Sequence, residues 1–322
     1  MSISLKDMPD IRRLAEEEGV EEGALKSVLE ASLLQAYSKL PDALPLARAE
    51  VSHGALTIWG KKEEGGEEVD CTPEDFSRQS TKIVRTALRQ LVRHMEDEKL
   101  FGAFLNRKGQ LITGTVEQDE KDEENIHVAV GETEALLPRR EQTPGEEYAH
   151  GQRLRVYVVA VSRGAKGPEI VVSRCHPNLV EKLFEREVPE LSSGAVSIVK
   201  IAREAGSRTK IAIKSNLPGL NGKGTFIGPD GSRVRSVVSE LGPEKVDIVD
   251  YSEDPASYIA SALSPAKVDS VRILSLEERK AVAFVPEDQL RLAIGREGQN
   301  ARLAARLTGW KIAIQPSRQP EA

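Results

Sequence analysis

The sequence predicts a multidomain α+β protein of four small modules, and three observations carry that prediction. A Gly-x-x-Gly signature with its flanking pattern occurs twice, 67 residues apart, at Gly228–Gly231 and Gly295–Gly298. The hydrophobic period changes near residue 106 from helical to alternating, and near residue 181 to a mixture of both. The charge is also unevenly spread. The 322 residues carry a formal net charge of −6, and residues 1–105 alone hold 14 Lys and Arg against 20 Asp and Glu. Residues 181–322 hold 21 against 19, with local excesses of 8 to 3 over 191–240 and 6 to 1 over 289–318. Local fields, not the total, act on a polyanion at screening lengths of about 8 Å.

Composition excludes several classes. With 30% charged and 39% hydrophobic residues the chain is expected to be globular and soluble. No apolar run approaches the ~20 residues that cross a bilayer, and the start has no basic-then-apolar secretory pattern. Cys71 and Cys175 form neither a disulfide framework nor a CxxC pair, so a reducing cytoplasm is the expected location. None of the five histidines lies in an HExxH context, and there is no GxSxG elbow. Gly222–Lys223–Gly224–Thr225 lacks the upstream glycine and the Ser/Thr of a P-loop. Neither a catalytic cluster nor a metal or cofactor site is expected.

Residues 1–105 open with a helical pattern at Ile11, Leu14 and Ala15. A second helix is predicted from Glu22 to Lys39, with Leu25, Val28, Leu29, Leu33 and Ala36 on one face. Ala49 to Trp59 alternates as a hairpin around His53–Gly54. Thr72–Pro73–Glu74–Asp75 reads as a helix start with Thr72 as N-cap. The long helix that follows is predicted to reach Phe104, with Ile83, Val84, Ala87, Leu88, Leu91 and Met95 as its apolar stripe.

Residues 106–180 contain five short alternating runs: Leu111–Thr115, Ile126–Val130, Glu134–Leu137, Arg153–Val161 and Glu169–Ser173. Glycines punctuate them, which predicts a small closed barrel of the OB type.

The remainder is a repeat. Arg235 matches Arg302 and Gly242 matches Gly309 at the same 67-residue offset. Strand-like runs precede and follow each signature, so each unit reads β-β-helix-GxxG-helix-β. A joining helix is expected from Asp254 to Leu263. The expected modules are 1–105, 106–180, 181–263 and 264–322.

The repeated signature has a physical use. Glycines let the backbone approach a phosphate and adopt positive φ. The free N–H groups that open the next helix point at the same anion. This is the arrangement of the KH module, whose loop clamps about four nucleotides of single-stranded RNA. Such recognition tolerates the 4% aromatic content, which excludes only stacking platforms.

The residues also carry a resemblance. Glu134–Glu141, Ser173–Pro177, Gly206–Ala212, Gly231–Arg235, Ser252–Ala256, Ala262–Ala266 and Ala293–Asn300 are similar to the NusA family of bacterial transcription termination/antitermination factors. The resemblance spans nearly the whole chain and is closest from Gly109 to Pro316. It implies a non-catalytic, monomeric elongation factor that modulates pausing, termination and antitermination. Its implied partners are core RNA polymerase, bound by the amino-terminal domain, nascent single-stranded RNA and other antitermination factors, with no membrane. The implied RNA contacts in the first KH unit are Lys210, Lys214, Gly228, Gly231, Ser232, Arg233 and Arg235. In the second they are Gly295, Arg296, Gly298, Gln299, Asn300 and Arg302. His127, Arg139 and Arg140 are candidates on the barrel. Asp230 stands where the family has a basic residue. A carboxylate there repels phosphate unless it turns away to cap the helix, so the second loop is expected to make the direct contact. The acidic carboxy-terminal repeats of some relatives do not follow, and autoinhibition by them is not expected.

Two rival classes are weaker. In phosphorolytic ribonucleases the KH module precedes the barrel and follows large catalytic domains. A structural ribosomal protein would be basic throughout.

Overall fold

The computed structural model describes residues 3–4, 21–52, 55–73, 76–118, 124–164 and 167–317. They form two compact units, residues 1–103 with 163–168, and residues 104–162 with 169–322. The expected first helix and the His53–Gly54 turn lie outside the described residues.

In the first unit, α1 (Glu22–Tyr37) packs on a sheet of β1 (Ile3–Ser4), β2 (Leu46–Ser52), β3 (Ala55–Lys61) and β4 (Val69–Asp70). Leu25, Leu29, Leu33 and Tyr37 recur every four residues, so one stripe of α1 is buried against Val51, Ile58 and Ala87. Helix α2 runs from Phe76 to Leu105. Glu74 and Asp75 of the expected start at Thr72 lie outside the described residues. The Thr72 hydroxyl donates to Asp70 and accepts from Ile58 N–H at 2.9 Å, which ties it to β3. Met95, placed on the apolar stripe by its spacing, is exposed.

In the second unit, β5 (Leu111–Glu117), β6 (Ile126–Val130), β7 (Thr133–Leu137), β8 (Arg153–Gly164) and β9 (Gly167–Ser173) close a barrel in the order β5-β6-β7-β9-β8. Alternation puts Ile112, Val116, Val128, Leu137, Leu154, Val156, Ile170 and Val172 inside, and Phe104 fills one end. Gly114 faces inward where a Cβ would sit 2.6 Å from Ala129 O, so only glycine lets β5 and β6 approach this closely.

Two similar α/β units follow. The first has the sheet β10 (Val196–Glu204), β11 (Arg208–Ser215), β12 (Lys245–Asp250), and the second β13 (Ser270–Ser275), β14 (Lys280–Val285), β15 (Lys311–Pro316). In both, the first pair is antiparallel and the second parallel. The first carries α3 (Pro177–Glu187), the short α4 (Pro189–Ser192), α5 (Gly222–Ile227) and α6 (Ser232–Leu241). The second carries α7 (Pro255–Ala262), α8 (Leu290–Ile294) and α9 (Gln299–Thr308). Asp254 caps α7 by accepting from Ser257 N–H at 2.8 Å.

The period-2 geometry of β11 explains how the units join. Ile211 and Ile213 face the first unit's own helices, while Ala212 between them faces a second core shared with Ile259, Ala283, Leu303 and Leu307. Ala202, Ala212 and Val249 are small enough for α9 to pack against that face. Both sides of the first sheet are therefore covered. The barrel is joined just as firmly. Arg174, only 2% exposed, donates to Glu146 of the barrel loop and to both the side chain and the carbonyl of Glu240 on α6.

Candidate nucleic-acid interface

The two Gly-x-x-Gly loops have one backbone conformation. Gly228, Asp230 and Gly231 have φ of 74, 50 and 73°, and Gly295, Glu297 and Gly298 have 78, 52 and 73°. Every one of these six lies in the left-handed region, where glycine is unstrained and a side-chain-bearing residue is not. The first glycine of each loop also packs tightly. A Cβ at Gly228 would meet Arg233 Cγ at 2.6 Å, and one at Gly295 would meet Asn300 N at 2.7 Å. The second glycine has space, since nothing lies within 4 Å of a Cβ at Gly298. It is needed for its backbone angle.

Each loop opens a helix of ten residues, α6 or α9, with no side chain capping its first turn. Uncapped N–H groups and the positive end of a helix dipole are features that favour an anion, and each loop presents both. Asp230 does not cap α6, so turning away to the helix does not account for its carboxylate. It is exposed, as is Glu297 at the matching position. Beside the first loop lies an open groove of about 450 Å³, lined by Leu220, Asn221, Gly224, Thr225, Pro229 and Arg233 among others.

The candidate side chains fall into two sets. Ser232 and Arg235 are exposed beside the first loop, with the Arg235 guanidinium about 3.5 Å from the Cβ position of Gly231. Arg296 is 93% exposed at the second loop. Arg139 and Arg140 are exposed on a short helical turn of the barrel. His127 on β6 pairs with Glu134. Lys214 pairs with Glu253 at 3.0 Å and lies over the Tyr251 ring.

Five expected contacts are engaged inside the protein instead. Lys210 is fully buried, donating to Asp247 at 2.9 Å and to Ser264 O, because period 2 puts it on the covered Ala212 face of β11. Asn300, 2% exposed, donates to Leu263 O and Ala293 O and holds the second loop from behind. Arg233, the residue equivalent to Asn300, donates to Glu190 at 2.9 Å and Thr225 O at 2.8 Å. Gln299 donates to Glu204 and Ser207, and Arg302 makes a forked pair with Glu204 at 2.7 and 3.1 Å. Sequence reasoning missed Glu204, whose carboxyl is held below the usual range mainly by the Arg302 hydrogen bond. A lone acid ending a strand in a basic stretch was the available signal.

Asp247 supplies a pH test of this join. Burial acts to raise its pKa, but hydrogen bonds from Arg208 and the charge of Lys210 more than offset it and leave it lowered. Burial lowers the Lys210 ammonium, and Asp247 only partly restores it. A carboxyl depressed in the folded state contributes stability above its unfolded pKa of about 3.9 and loses it as pH falls through the folded value. The gap in melting temperature between the parent and Asp247→Asn should be widest near pH 7 and close below about pH 4. A gap independent of pH would show that the ionised pair is not what stabilises the join.

Comparison with known proteins matches the sequence to a family. A model described as the NusA-like first KH domain matches residues 174–251, and one described as the NusA-like second KH domain matches 255–322. The transcription termination/antitermination protein NusA of Mycobacterium tuberculosis is 45% identical over 333 aligned residues, covering 98% of this chain and 96% of that protein. The chain belongs to the NusA family. The Bacillus subtilis NusA is 38% identical over 98% of this chain and 91% of its own. The Thermus thermophilus NusA is 43% identical over 77% of this chain and 64% of its own. The two Gly-x-x-Gly units are therefore NusA-type KH domains, and the chain is a transcription termination/antitermination factor with an RNA-binding KH pair. No helix among the described residues is long and apolar enough to cross a membrane.

Proposed function

We propose that the chain acts as a monomeric, non-catalytic elongation factor in the cytoplasm, built of four modules: an amino-terminal domain, the barrel and the two KH units, the latter beginning near residues 174 and 255 rather than at 181 and 264. The first docks on core RNA polymerase. The barrel and the KH pair hold the emerging RNA, and pausing, termination and read-through respond to both contacts. The observation that carries the RNA half is the second loop. Its backbone is left-handed at Gly295, Glu297 and Gly298, the helix behind it is uncapped, and Arg296 is 93% exposed, with only the likewise exposed Glu297 beside it at 3.9 Å as its recorded ion-pair partner among the described residues. These features support phosphate capture there. Ser232, Arg235 and the loop glycines are the proposed contacts in the first unit, with Arg139 and Arg140 on the barrel. The acidic front supports docking to a protein in place of RNA.

The polymerase half is tested by capture of core RNA polymerase on the immobilised full chain and on a chain lacking residues 1–103. Capture by the full chain and its loss on deletion is the expected result. Equal capture by both would place the polymerase contact elsewhere.

A further inference from the structure

Helix α9 has different electrical surroundings at its two ends. At its start, Gln299 and Arg302 meet Glu204 of the first KH unit. At its end, two cations converge on Gly309. A Cβ built there would lie 3.4 Å from Arg279 Nη1 and 3.9 Å from Lys200 Nζ. Lys200 comes from β10 of the first unit and Arg279 from the β13–β14 turn of the second, so the cluster exists only because the units are joined. Both side chains belong to exposed residues, and among the described residues neither has an ion-pair partner. Arg306, one turn before Gly309, is 56% exposed and reaches Glu204 only at 3.5 Å.

The negative end of the helix dipole favours a cation at this place, yet it does not require two. The equivalent Gly242 of the first unit has nothing within 4 Å of its Cβ position, so the cluster is no property of the repeat itself. Arg279 also holds φ of +51°, where glycine would be relaxed and arginine is strained. The backbone there bears a cost while this side chain is kept.

We propose that Lys200, Arg279 and Arg306 form a second phosphate-binding surface at the seam between the KH units, and that it holds the RNA backbone beyond the second loop. The proposal rests on RNA binding by that loop. Ten residues make α9 about 15 Å long. A strand leaving the Gly295–Gly298 loop along α9 passes Arg302 and Arg306 before reaching Lys200 and Arg279. Single-stranded RNA supplies the row of phosphates such a path needs.

The test uses the full chain and its Lys200→Gln/Arg279→Gln variant with two unstructured RNAs. One of about six nucleotides fills little more than the loop, and one of about sixteen extends well past it. The short RNA should bind both proteins equally. The long RNA should lose about fivefold in affinity, with a log–log salt slope shallower by about 1.4, for two phosphates at ~0.7 each. An unchanged affinity for the long RNA would overturn the proposal, and so would an equal loss for both lengths. If the parent chain binds neither RNA, this proposal and the RNA reading of the second loop both fail. If it binds both and only the length effect is missing, the seam alone fails.

Discussion

Replacing Gly298 by Asp lowers affinity for single-stranded RNA about tenfold or more, equivalent to about 1.4 kcal/mol, with the fold intact. The position is chosen by packing. Nothing lies within 4 Å of a Cβ at Gly298, so the side chain has room, whereas Gly295 abuts Asn300 and a substitution there breaks the loop itself. The cost of the variant is the left-handed backbone at φ 73°, about 1 kcal/mol for a non-glycine residue. For a chain of this size that lowers the melting temperature by a few degrees, about 2–4 °C per kcal/mol. The gain in specificity of the test comes from charge. The carboxylate stands at the opening of α9, where uncapped N–H groups would otherwise receive a phosphate. Titration of labelled RNA at two salt concentrations, with a melting curve on the same sample, reads both effects. Full affinity in a folded Gly298→Asp protein would remove the second loop from the RNA path.

Arg174→Met should destabilise the barrel–KH unit by about 3–5 kcal/mol, the usual cost of leaving buried carboxylates without their cation. Arg174 is 2% exposed, and Glu146 and Glu240 are 17% and 19% exposed. Burial disfavours its charge, but its pairs with Glu146 and Glu240 more than offset that and hold the pKa above the ordinary arginine value. Glu240 keeps Arg155 at 3.2 Å, and among the described residues Glu146 keeps only the Tyr148 hydroxyl, at 2.8 Å. Removing Glu146 as well should therefore recover part of the loss. Thermal melts of Arg174→Met, Glu146→Gln and the double variant measure the coupling, with a fall of about 10 °C expected for Arg174→Met. Additive effects of the two single changes would mean that the residues do not act as a pair.

Much of the fold was legible. Alternation located β6 at Ile126–Val130 and the other barrel strands to within a few residues, since one face of each is buried and the other is not. The glycine repeat located both loops, and their angles agree to within a few degrees because the same spacing demands the same turn. The hydroxyl of Thr72 also has a local partner in Asp70, which a capping pattern by itself does not report.

The residues by themselves determined the repeat, the closed barrel and the family, and they named the loop glycines and the exposed Arg296. These follow from local rules: hydrophobic period, glycine's backbone freedom and helix-end chemistry. Which cations are free to meet RNA was decided only by tertiary structure. Lys210, Asn300 and Arg302 look identical in the sequence to free polar groups. Lys210 is buried against Asp247 and the Ser264 carbonyl, Asn300 turns inward to Leu263 and Ala293, and packing α9 on the first sheet gives Arg302 to Glu204, 98 residues away. The same contact brings Lys200 and Arg279 together. Partners this distant in sequence leave no local pattern, because they are set by which face of one module covers another.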